Sequence, residues 1–199
     1  MTAMTERGIL IVVSAPSGCG KSTVLHRLME KRPTLCFSVS ATTRAPREGE
    51  TDGVDYYFIS REKFDQMIAN DEFLEHAEYV GNCYGTPKAA VDAKLAQGSD
   101  VYLDIEVNGA MQVKAQRPDT LMIFLMPPSM KELERRLTAR GTDSPETIRR
   151  RLKEARRECR RRKDFEFVVV NDIVERAVDE ISALIDARRK ELNQPIDNK

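Results

Sequence analysis

The sequence predicts an α/β fold with a largely parallel central sheet, built as one globular unit. Apolar runs of strand length recur along the chain, and several are continuous rather than alternating, as in strands buried on both faces of a parallel sheet. Helix-start signals lie between these runs, and alternation of strands and helices is typical of α/β folds. With 199 residues, of which 41% are hydrophobic, the chain is long enough to bury one core.

The predicted strands follow from the apolar runs in chain order. These runs are GILIVV (8–13), CFSVSAT (36–42), DYYFIS (55–60), DVYLDIEV (100–107), TLMIFLM (120–126) and FEFVVVN (165–171). The predicted helices include residues 61–70 and three segments that begin at a capping residue. The three helix starts are Ser129 with Glu132, Ser144 before Pro145 and Glu146, and Asp172 with Glu175. In the last segment, the Ile/Val/Ala/Leu spacing predicts one buried face.

Two segments interrupt the strand–helix rhythm. Residues 38–86 are rich in Gly, Asp, Arg and Tyr and predict an inserted lobe of short strands and one helix. Residues 129–163 predict an all-helical, Arg-dense second piece. The remaining residues, 1–37, 87–128 and 164–199, then form the core.

Composition excludes several classes of function. Lys+Arg 32 against Asp+Glu 32 leaves no net charge, so neither nucleic acid nor a membrane surface is an expected partner of the whole protein. The longest early apolar run is too short to span a bilayer and lacks the layout of a signal peptide. Four cysteines far apart predict no zinc site or disulfide framework, and they favour a cytoplasmic location. The sequence carries no signal for an oligomeric state.

The stretch SAPSGCGKST, Ser14 to Thr23, predicts a phosphate-binding loop. It follows a predicted strand and opens a helix, the context in which backbone N–H groups and a helix N-terminus bind phosphate. Lys21 is expected to contact the β- and γ-phosphates, and the Ser22 hydroxyl to ligate Mg²⁺. The strict motif has Gly where this chain has Ala15. The loop by itself indicates only a nucleoside triphosphate as ligand, and a simple turn before a helix is the alternative.

The inserted lobe is the expected site of the acceptor. Arg44 and Arg47 lie three apart and precede Tyr56, and two guanidinium groups with a phenol suit a phosphate monoester. Downstream lie Glu75, Tyr84 and Thr86. By itself, Glu75 is more simply interpreted as a solvated helix-end acid, and the tyrosines have packing as an alternative role.

These motifs resemble the guanylate kinase family over residues 7 to 190, in family order and spacing. The matching stretches are APSGCGKST, TTRAPREGETDGVDYYF, NCYGT, LDIEVNGA, PPS, RLTARGT and VND. The resemblance implies the fold of P-loop nucleoside monophosphate kinases, with a GMP-binding lobe and a helical lid. It implies transfer of the ATP γ-phosphoryl group to GMP or dGMP, with Mg²⁺. The chemistry of guanine fits Glu75, because a carboxylate accepts both N1–H and N2–H of guanine, whereas adenine has no N1–H to donate. It also accommodates Ala15 in the loop.

The resemblance further assigns the candidate residues. The ATP-binding set is Ala15, Pro16, Ser17, Gly18, Cys19, Gly20, Lys21, Ser22, Thr23 and Asn171. The GMP-binding set is Ser40, Arg44, Arg47, Tyr56, Glu75, Tyr84, Thr86 and Asp104. The catalytic set is Lys21, Arg44, Asp104, Arg136, Arg140 and Arg151, with Ser22 and Asp104 as the metal ligands.

Some of these assignments keep an alternative. Asp104 ends a buried strand beside the loop, where an acid that holds Mg²⁺ belongs, and is favoured over Glu106. Asn171 is either part of the adenine pocket or a turn before the last helix. Cys19, at a helix N-terminus, is either an acidified thiol or a small packing residue. The charges of the Arg-rich helices, Glu158 among them, are expected mostly to be solvated.

Three other functions remain as alternatives. A guanylate-kinase-like module would bind a phosphopeptide without catalysis, but Lys21, Ser22 and Asp104 argue against it. A related P-loop kinase would use another phosphorylated acceptor, such as a ribose bisphosphate. A nucleic-acid-binding role would rest on the Arg-rich helices alone.

Overall fold

A computed structural model describes residues 7–139, 141 and 143–193. Its strands are β1 (Leu10–Ser14), β2 (Leu35–Phe37), β3 (Ala41–Thr42), β4 (Tyr57–Phe58), β5 (Phe73–Tyr79), β6 (Asn82–Pro87), β7 (Asp100–Asp104), β8 (Leu121–Met126) and β9 (Phe167–Val170). Its helices are α1 (Lys21–Lys31), α2 (Arg61–Ala69), α3 (Lys88–Ala96), α4 (Val107–Gln116), α5 (Met130–Ala139), α6 (Pro145–Arg160) and α7 (Val174–Leu192), with a short 3₁₀ turn at Arg161–Asp164.

Five strands form one fully parallel sheet in the order β2-β7-β1-β8-β9. Alternate residues of β1 point to opposite faces, and both faces are buried. Ile11 and Val13 pack under α1 and α7, whereas Leu10 and Val12 pack under α3 and α4. The continuous apolar runs therefore correspond to strands that helices cover on both faces of the sheet, as predicted.

The second sheet has four strands in the order β4-β3-β6-β5, with β5 at one edge. Strands β5 and β6 form an antiparallel hairpin, and β3 pairs with both β4 and β6. Helix α2 covers this sheet through Phe64, whose ring stacks on that of Phe73 with centroids 4.5 Å apart. The hairpin was not predicted as two strands, because its outer half is exposed and carries no apolar run.

Two of the predicted strands cross the boundary of an element in the structure. The run 36–42 does not form one strand, because β2 ends at Phe37 in the parallel sheet and β3 begins at Ala41 in the second sheet. The run 100–107 ends as a strand at Asp104, and Val107 already begins α4. Apolar side chains alone do not reveal where a buried chain changes from strand to helix or from one sheet to another.

Two of the three predicted caps are present. Ser129 Oγ accepts from the N–H of Glu132 at 3.0 Å, and Ser144 Oγ accepts from that of Thr147 at 3.2 Å. The third is wrong, because α7 begins at Val174 with Ile173 as its N-cap, and no side chain caps it. Asp172 instead accepts from the N–H of Ile173 and pairs with Arg176.

Helices α5 and α6 pack on each other through a small core of their own. Its members include Leu133, Leu137, Leu152 and Ala155. Among the residues that the structure describes, no helix has the length and apolar character needed to cross a bilayer.

Candidate active site

The loop between β1 and α1 lines a cavity of about 350 Å³. Gly18 and Gly20 adopt φ values of +88° and +90°, in the left-handed region that favours glycine. These two residues let the chain turn sharply from the strand into the helix. The lining comprises residues 15–23, as the sequence predicts for a phosphate loop, together with Glu106 and Glu158.

The sheet register places an acid beside the loop. Strand β7 runs parallel to β1, and Asp104 pairs with Val13, one residue before β1 ends. Lys21, the first residue of α1, reaches across this edge, and its ammonium group contacts the Asp104 carboxylate. The two predicted catalytic residues are therefore brought together at the carboxyl end of the parallel strands, where α/β folds bind their ligands.

Two side chains hold the backbone of the loop from outside the cavity. The carbonyl of Cys19 accepts from Asn171 Nδ2 at 2.8 Å and from Arg136 Nη1 at 3.2 Å. Arg136 also donates to the carbonyl of Asn171 at 3.0 Å and to Glu132 at 2.9 Å. A Cβ at Gly20 would lie 2.7 Å from Asn171 Nδ2, so the glycine also gives room for this contact. Asn171 and Arg136 thus support the loop conformation directly.

Cys19 is not the acidified thiol that its position at a helix start suggested. The side chain is fully buried, its Sγ lies 3.5 Å from the carbonyl of Leu125, and burial raises the pKa of the thiol to about 12. Arg136 and Lys21 lower the pKa, but less than burial raises it. The small-packing alternative is therefore the correct one, because the side chain is buried in the core that the parallel sheet forms with α1 and α7.

We accordingly expect Cys19 to resist alkylation in the folded protein. Iodoacetamide at pH 8 should modify the more accessible Cys36 first, because thiolate character and access govern the rate. Peptide mapping by mass spectrometry, with and without ATP, measures this order, and protein unfolded in urea is the control. Rapid ATP-sensitive labelling of Cys19 in the native protein would contradict the expectation.

A second polar site lies in the second sheet. Glu75 on β5 faces Thr86 on β6 in register, and Thr86 Oγ1 donates to Glu75 Oε1 at 2.6 Å. Glu75 is only 7% exposed, so it is not a solvated helix-end acid. Burial raises the pKa of its carboxyl group, hydrogen bonds from Thr86 oppose this rise, and the charge of Glu106 adds to it.

Arg44 lies nearby in a half-buried aromatic setting. Its guanidinium carbon is 5.4 Å from the ring centroid of Tyr56. The rings of Tyr56 and Tyr84 meet edge to face with centroids 6.0 Å apart. The structure therefore brings together three residues of the GMP-binding set that the resemblance implies.

Glu50 is a partner of this group that the sequence analysis did not identify. It accepts from both terminal nitrogens of Arg44, at 2.8 and 2.9 Å, and from the backbone N–H of Arg47 at 2.7 Å. The sequence indicates this pairing only by an acid six residues after Arg44. Such a spacing is common in a charged loop and does not single out Glu50. The side chain of Arg47 is exposed, and the Ser40 carbonyl accepts from the Tyr57 N–H at 2.9 Å.

The two predicted lid arginines that the structure describes have different partners. Arg136 contacts the loop, as described, whereas Arg151 on α6 pairs with Asp143 at 3.0 Å. Arg140 lies outside the described residues.

Two further acids belong to the loop cavity. Glu106 is the N-cap residue of α4 and lines the cavity, and its charge adds to the burial that raises the pKa of the Glu75 carboxyl group. Glu158 is half-buried rather than solvated, and burial raises the pKa of its carboxyl group. Its position three residues after the buried Ala155 was the available signal, since that spacing places it beside the buried face of α6.

The molecule has a glycine-rich loop at the carboxyl edge of its parallel sheet and a second polar site, around Glu75 and Arg44, on its other sheet. The fold and this pair of sites define the class: a P-loop nucleoside monophosphate kinase. The family model for guanylate kinase matches residues 7–188. The chain belongs to the guanylate kinase family.

Relatives and a solved structure agree with this assignment. The guanylate kinase of Synechococcus sp. (strain JA-3-3Ab) is 52% identical over 90% of this chain and 82% of its own. That of Lactococcus lactis subsp. lactis is 48% identical over 98% of this chain and 95% of its own. A crystal structure of guanylate kinase from Anaplasma phagocytophilum superposes with a TM-score of 0.70 at 35% identity, covering 96% and 89% of the two chains.

Proposed function

We propose that the phosphate loop holds ATP while the polar site around Glu75 and Arg44 holds GMP. As a member of its family, the chain is an ATP:GMP phosphotransferase that produces ADP and GDP. Acceptance of dGMP and a cytoplasmic location are parts of the same proposal. Four free cysteines are consistent with a reducing compartment.

The buried pair of Glu75 and Thr86 is the observation that carries the proposal. A carboxylate with one oxygen bound to a threonine hydroxyl is held in one orientation, and it still has lone pairs for further donors. Guanine presents the N1–H and N2–H donors on one edge, and both can donate to the Glu75 carboxylate. Adenine would present a lone pair there and leave a buried carboxylate unpaired, and sites built on such pairing discriminate by about 10⁴–10⁵.

The Arg44 cluster is the proposed site of the GMP phosphate. The guanidinium group and the two phenols of Tyr56 and Tyr84 provide charge and hydrogen-bond donors, with Arg47 and Ser40 on neighbouring backbone. Glu50 fixes the Arg44 side chain and connects it to the backbone of Arg47. The acceptor phosphate is then oriented by a preformed set of side chains.

Transfer needs no protein nucleophile. An oxygen of the GMP phosphate attacks the γ-phosphorus of ATP in line, and positioned cations stabilise the charge that develops. Lys21 is the cation at the loop, and Arg136, Arg140 and Arg151 are the proposed cations of the lid, 129–163. Asn171 supports the loop beside the adenine pocket. Closure of the lobe, 38–86, and the lid over the core would exclude water.

The residues at the loop edge fit a magnesium ion that arrives with ATP. The Ser22 side chain is exposed at the loop cavity. The Asp104 carboxylate already contacts a cation, the ammonium group of the neighbouring Lys21. Hydroxyl and carboxylate oxygens are ligands that Mg²⁺ prefers, and Ser22 and Asp104 would hold it. When bound, Mg²⁺ neutralises part of the charge on the phosphates.

An acceptor panel tests the function. ADP release is measured with ATP, Mg²⁺ and each of GMP, dGMP, AMP, UMP and a ribose bisphosphate. We expect turnover with GMP and dGMP and little with AMP or UMP. Turnover only with the ribose bisphosphate would indicate the related P-loop kinase, and binding of GMP with no turnover would indicate a non-catalytic module.

The KM for GMP is expected to depend on pH through Glu75. The ionised carboxylate accepts both guanine donors, and burial raises its pKa above the usual value of about 4.5. As pH falls through this raised pKa, the carboxylate is neutralised and the KM for GMP rises, beginning at a higher pH than an ordinary glutamate would cause. Initial rates between pH 5 and 8 measure this, with the KM for ATP as internal control. A KM for GMP that is flat over this range would contradict it.

A further inference from the structure

We propose that helix α4 is the positioning element for the guanine-binding carboxylate, through Gly109, which gives the Glu75 side chain its space, and Gln112, which holds the strand that carries it. The inference rests on the proposed function of Glu75. It assigns a specificity role to two residues that bind no substrate themselves.

Gly109 lies in the first turn of α4, buried against Glu75. A Cβ at this position would lie 2.7 Å from Glu75 Oε2 and 3.3 Å from its Cδ. The backbone of Gly109 is ordinary helix, with no positive φ that would require glycine. Because glycine is the poorest helix former after proline, its presence here is explained by the space that its missing side chain leaves.

The Glu75 carboxylate is therefore held from two sides. Thr86 donates to Oε1, and the bare backbone at Gly109 borders Oε2. A methyl group at position 109 must displace the carboxylate, because a contact of 2.7 Å is closer than real Cβ atoms tolerate. The displacement would break the Thr86 bond or turn the carboxylate away from the two guanine donors.

Gln112 holds the backbone immediately after Glu75. The N–H of His76 donates to Gln112 Oε1 at 3.1 Å, and Gln112 Nε2 donates to the carbonyl of His76 at 3.1 Å. One side chain thus satisfies both backbone polar groups of one residue, as a neighbouring strand would. Strand β5 lies at the edge of its sheet, so these groups have no partner strand on that side.

Gln116 continues the same contact by one turn. Its Nε2 lies 3.0 Å from the carbonyl of Leu74 and 3.3 Å from that of Phe73. Positions 109, 112 and 116 have the spacing of one helix face, so all three contact β5 together. The pairing of β5 with β6 shifts register between Phe73 and Glu75, and a bulge leaves the strand less defined by its own ladder. The contacts from α4 hold β5 at this point and so fix the direction of the Glu75 side chain, which the irregular pairing with β6 defines less well.

The same helix begins at the phosphate-loop side. Glu106, which lines the loop cavity, is its N-cap, and β7 with Asp104 leads directly into it. Helix α4 therefore connects the strand that approaches the donor to the strand that binds the acceptor base. This arrangement makes the distance between the two sites depend on one rigid element.

The test is the specificity of the full chain after substitution of these residues. For Gly109→Ala we expect kcat/KM for GMP to fall about 30-fold or more, through KM, with kcat changed less than threefold and the KM for ATP unchanged. The ratio of kcat/KM for GMP over IMP, which lacks the 2-amino group, should also fall about tenfold, because the carboxylate no longer meets both donors. Gln112→Leu should raise the KM for GMP about tenfold.

Controls separate positioning from general damage. Asn108→Ala changes an exposed residue of the same turn and should leave the KM for GMP and the GMP:IMP ratio unchanged. Thermal unfolding by circular dichroism should show a Tm for Gly109→Ala near that of the parent, since alanine favours helix. If Gly109→Ala does not fold, Gln112→Leu decides the matter by the same kinetic measures.

Two results would overturn the inference. If Glu75→Gln abolishes the preference for GMP while Gly109→Ala and Gln112→Leu retain the parental KM and GMP:IMP ratio, α4 does not position the carboxylate, and the proposed function still stands. If Glu75→Gln itself retains the preference, both the inference and its basis in the proposed function are wrong.

Discussion

Replacing Lys21 with alanine is expected to reduce kcat by about 10³-fold at saturating ATP and GMP, the effect of removing a positioned charge that stabilises the transition state. Lys21 begins α1 at the phosphate loop, and its ammonium group contacts Asp104. Without the Lys21 ammonium group, one cation fewer offsets the repulsion between the negative phosphates and the Asp104 carboxylate. Coupled ADP release measures the loss.

Lys31→Ala is the matched control for this substitution. Lys31 lies at the other end of the same helix, exposed, and pairs with Asp179 at 2.6 Å. We expect its removal to leave kcat within about twofold, because surface ion pairs contribute little. Parental kcat in Lys21→Ala would show that the loop lysine does not act in transfer and would exclude the donor site proposed here.

Glu75→Gln is expected to lower kcat/KM for GMP by about 10²-fold or more. An amide keeps one acceptor but replaces the other with a donor, which would face a guanine N–H at close range. A lost hydrogen bond to a charged group contributes roughly 1.5–3 kcal/mol, and the unpaired donors add to this. The loss should fall on KM, and discrimination against AMP should decrease with it.

Glu78→Gln, on the same strand, provides the comparison. Glu78 is exposed and lies 3.5 Å from Arg61, far along β5 from the buried pair. Its substitution should leave the kinetics for GMP unchanged. The assignment of the guanine-binding carboxylate fails if Glu75→Gln and Glu78→Gln behave alike.

The fold class and the phosphate loop could be predicted from the sequence because each depends on local chemistry. Buried parallel strands need continuous apolar runs, and the loop needs Gly18 and Gly20 at positive φ before a lysine and a serine. The second sheet was harder. Its hairpin carries few apolar residues, and the start of β3 is hidden in a run that also contains β2.

In the candidate site, too, some features could be predicted from the sequence and others depended on packing. Residue type indicated Arg44 as a phosphate ligand, but the resemblance to the guanylate kinase family was needed to select Glu75 as the acid that binds the base. The fold then brought each of these side chains to its partners. Type was not enough for Cys19, where exposure decides reactivity, or for Glu158, where the packing of α6 decides burial. It also did not reveal Glu50 as the partner of Arg44, since a charged loop offers several acids at similar separation.

By itself, the sequence determined the fold class, the donor loop and the family of this protein, because these follow from short-range patterns of residue type. Only the tertiary structure decided what surrounds each functional side chain: the burial of Glu75 against Thr86, the missing side chain at Gly109, and the support of the Cys19 carbonyl by Asn171 and Arg136. Such contacts join residues far apart in the chain, and the burial that sets their pKa and orientation exists only after the elements pack.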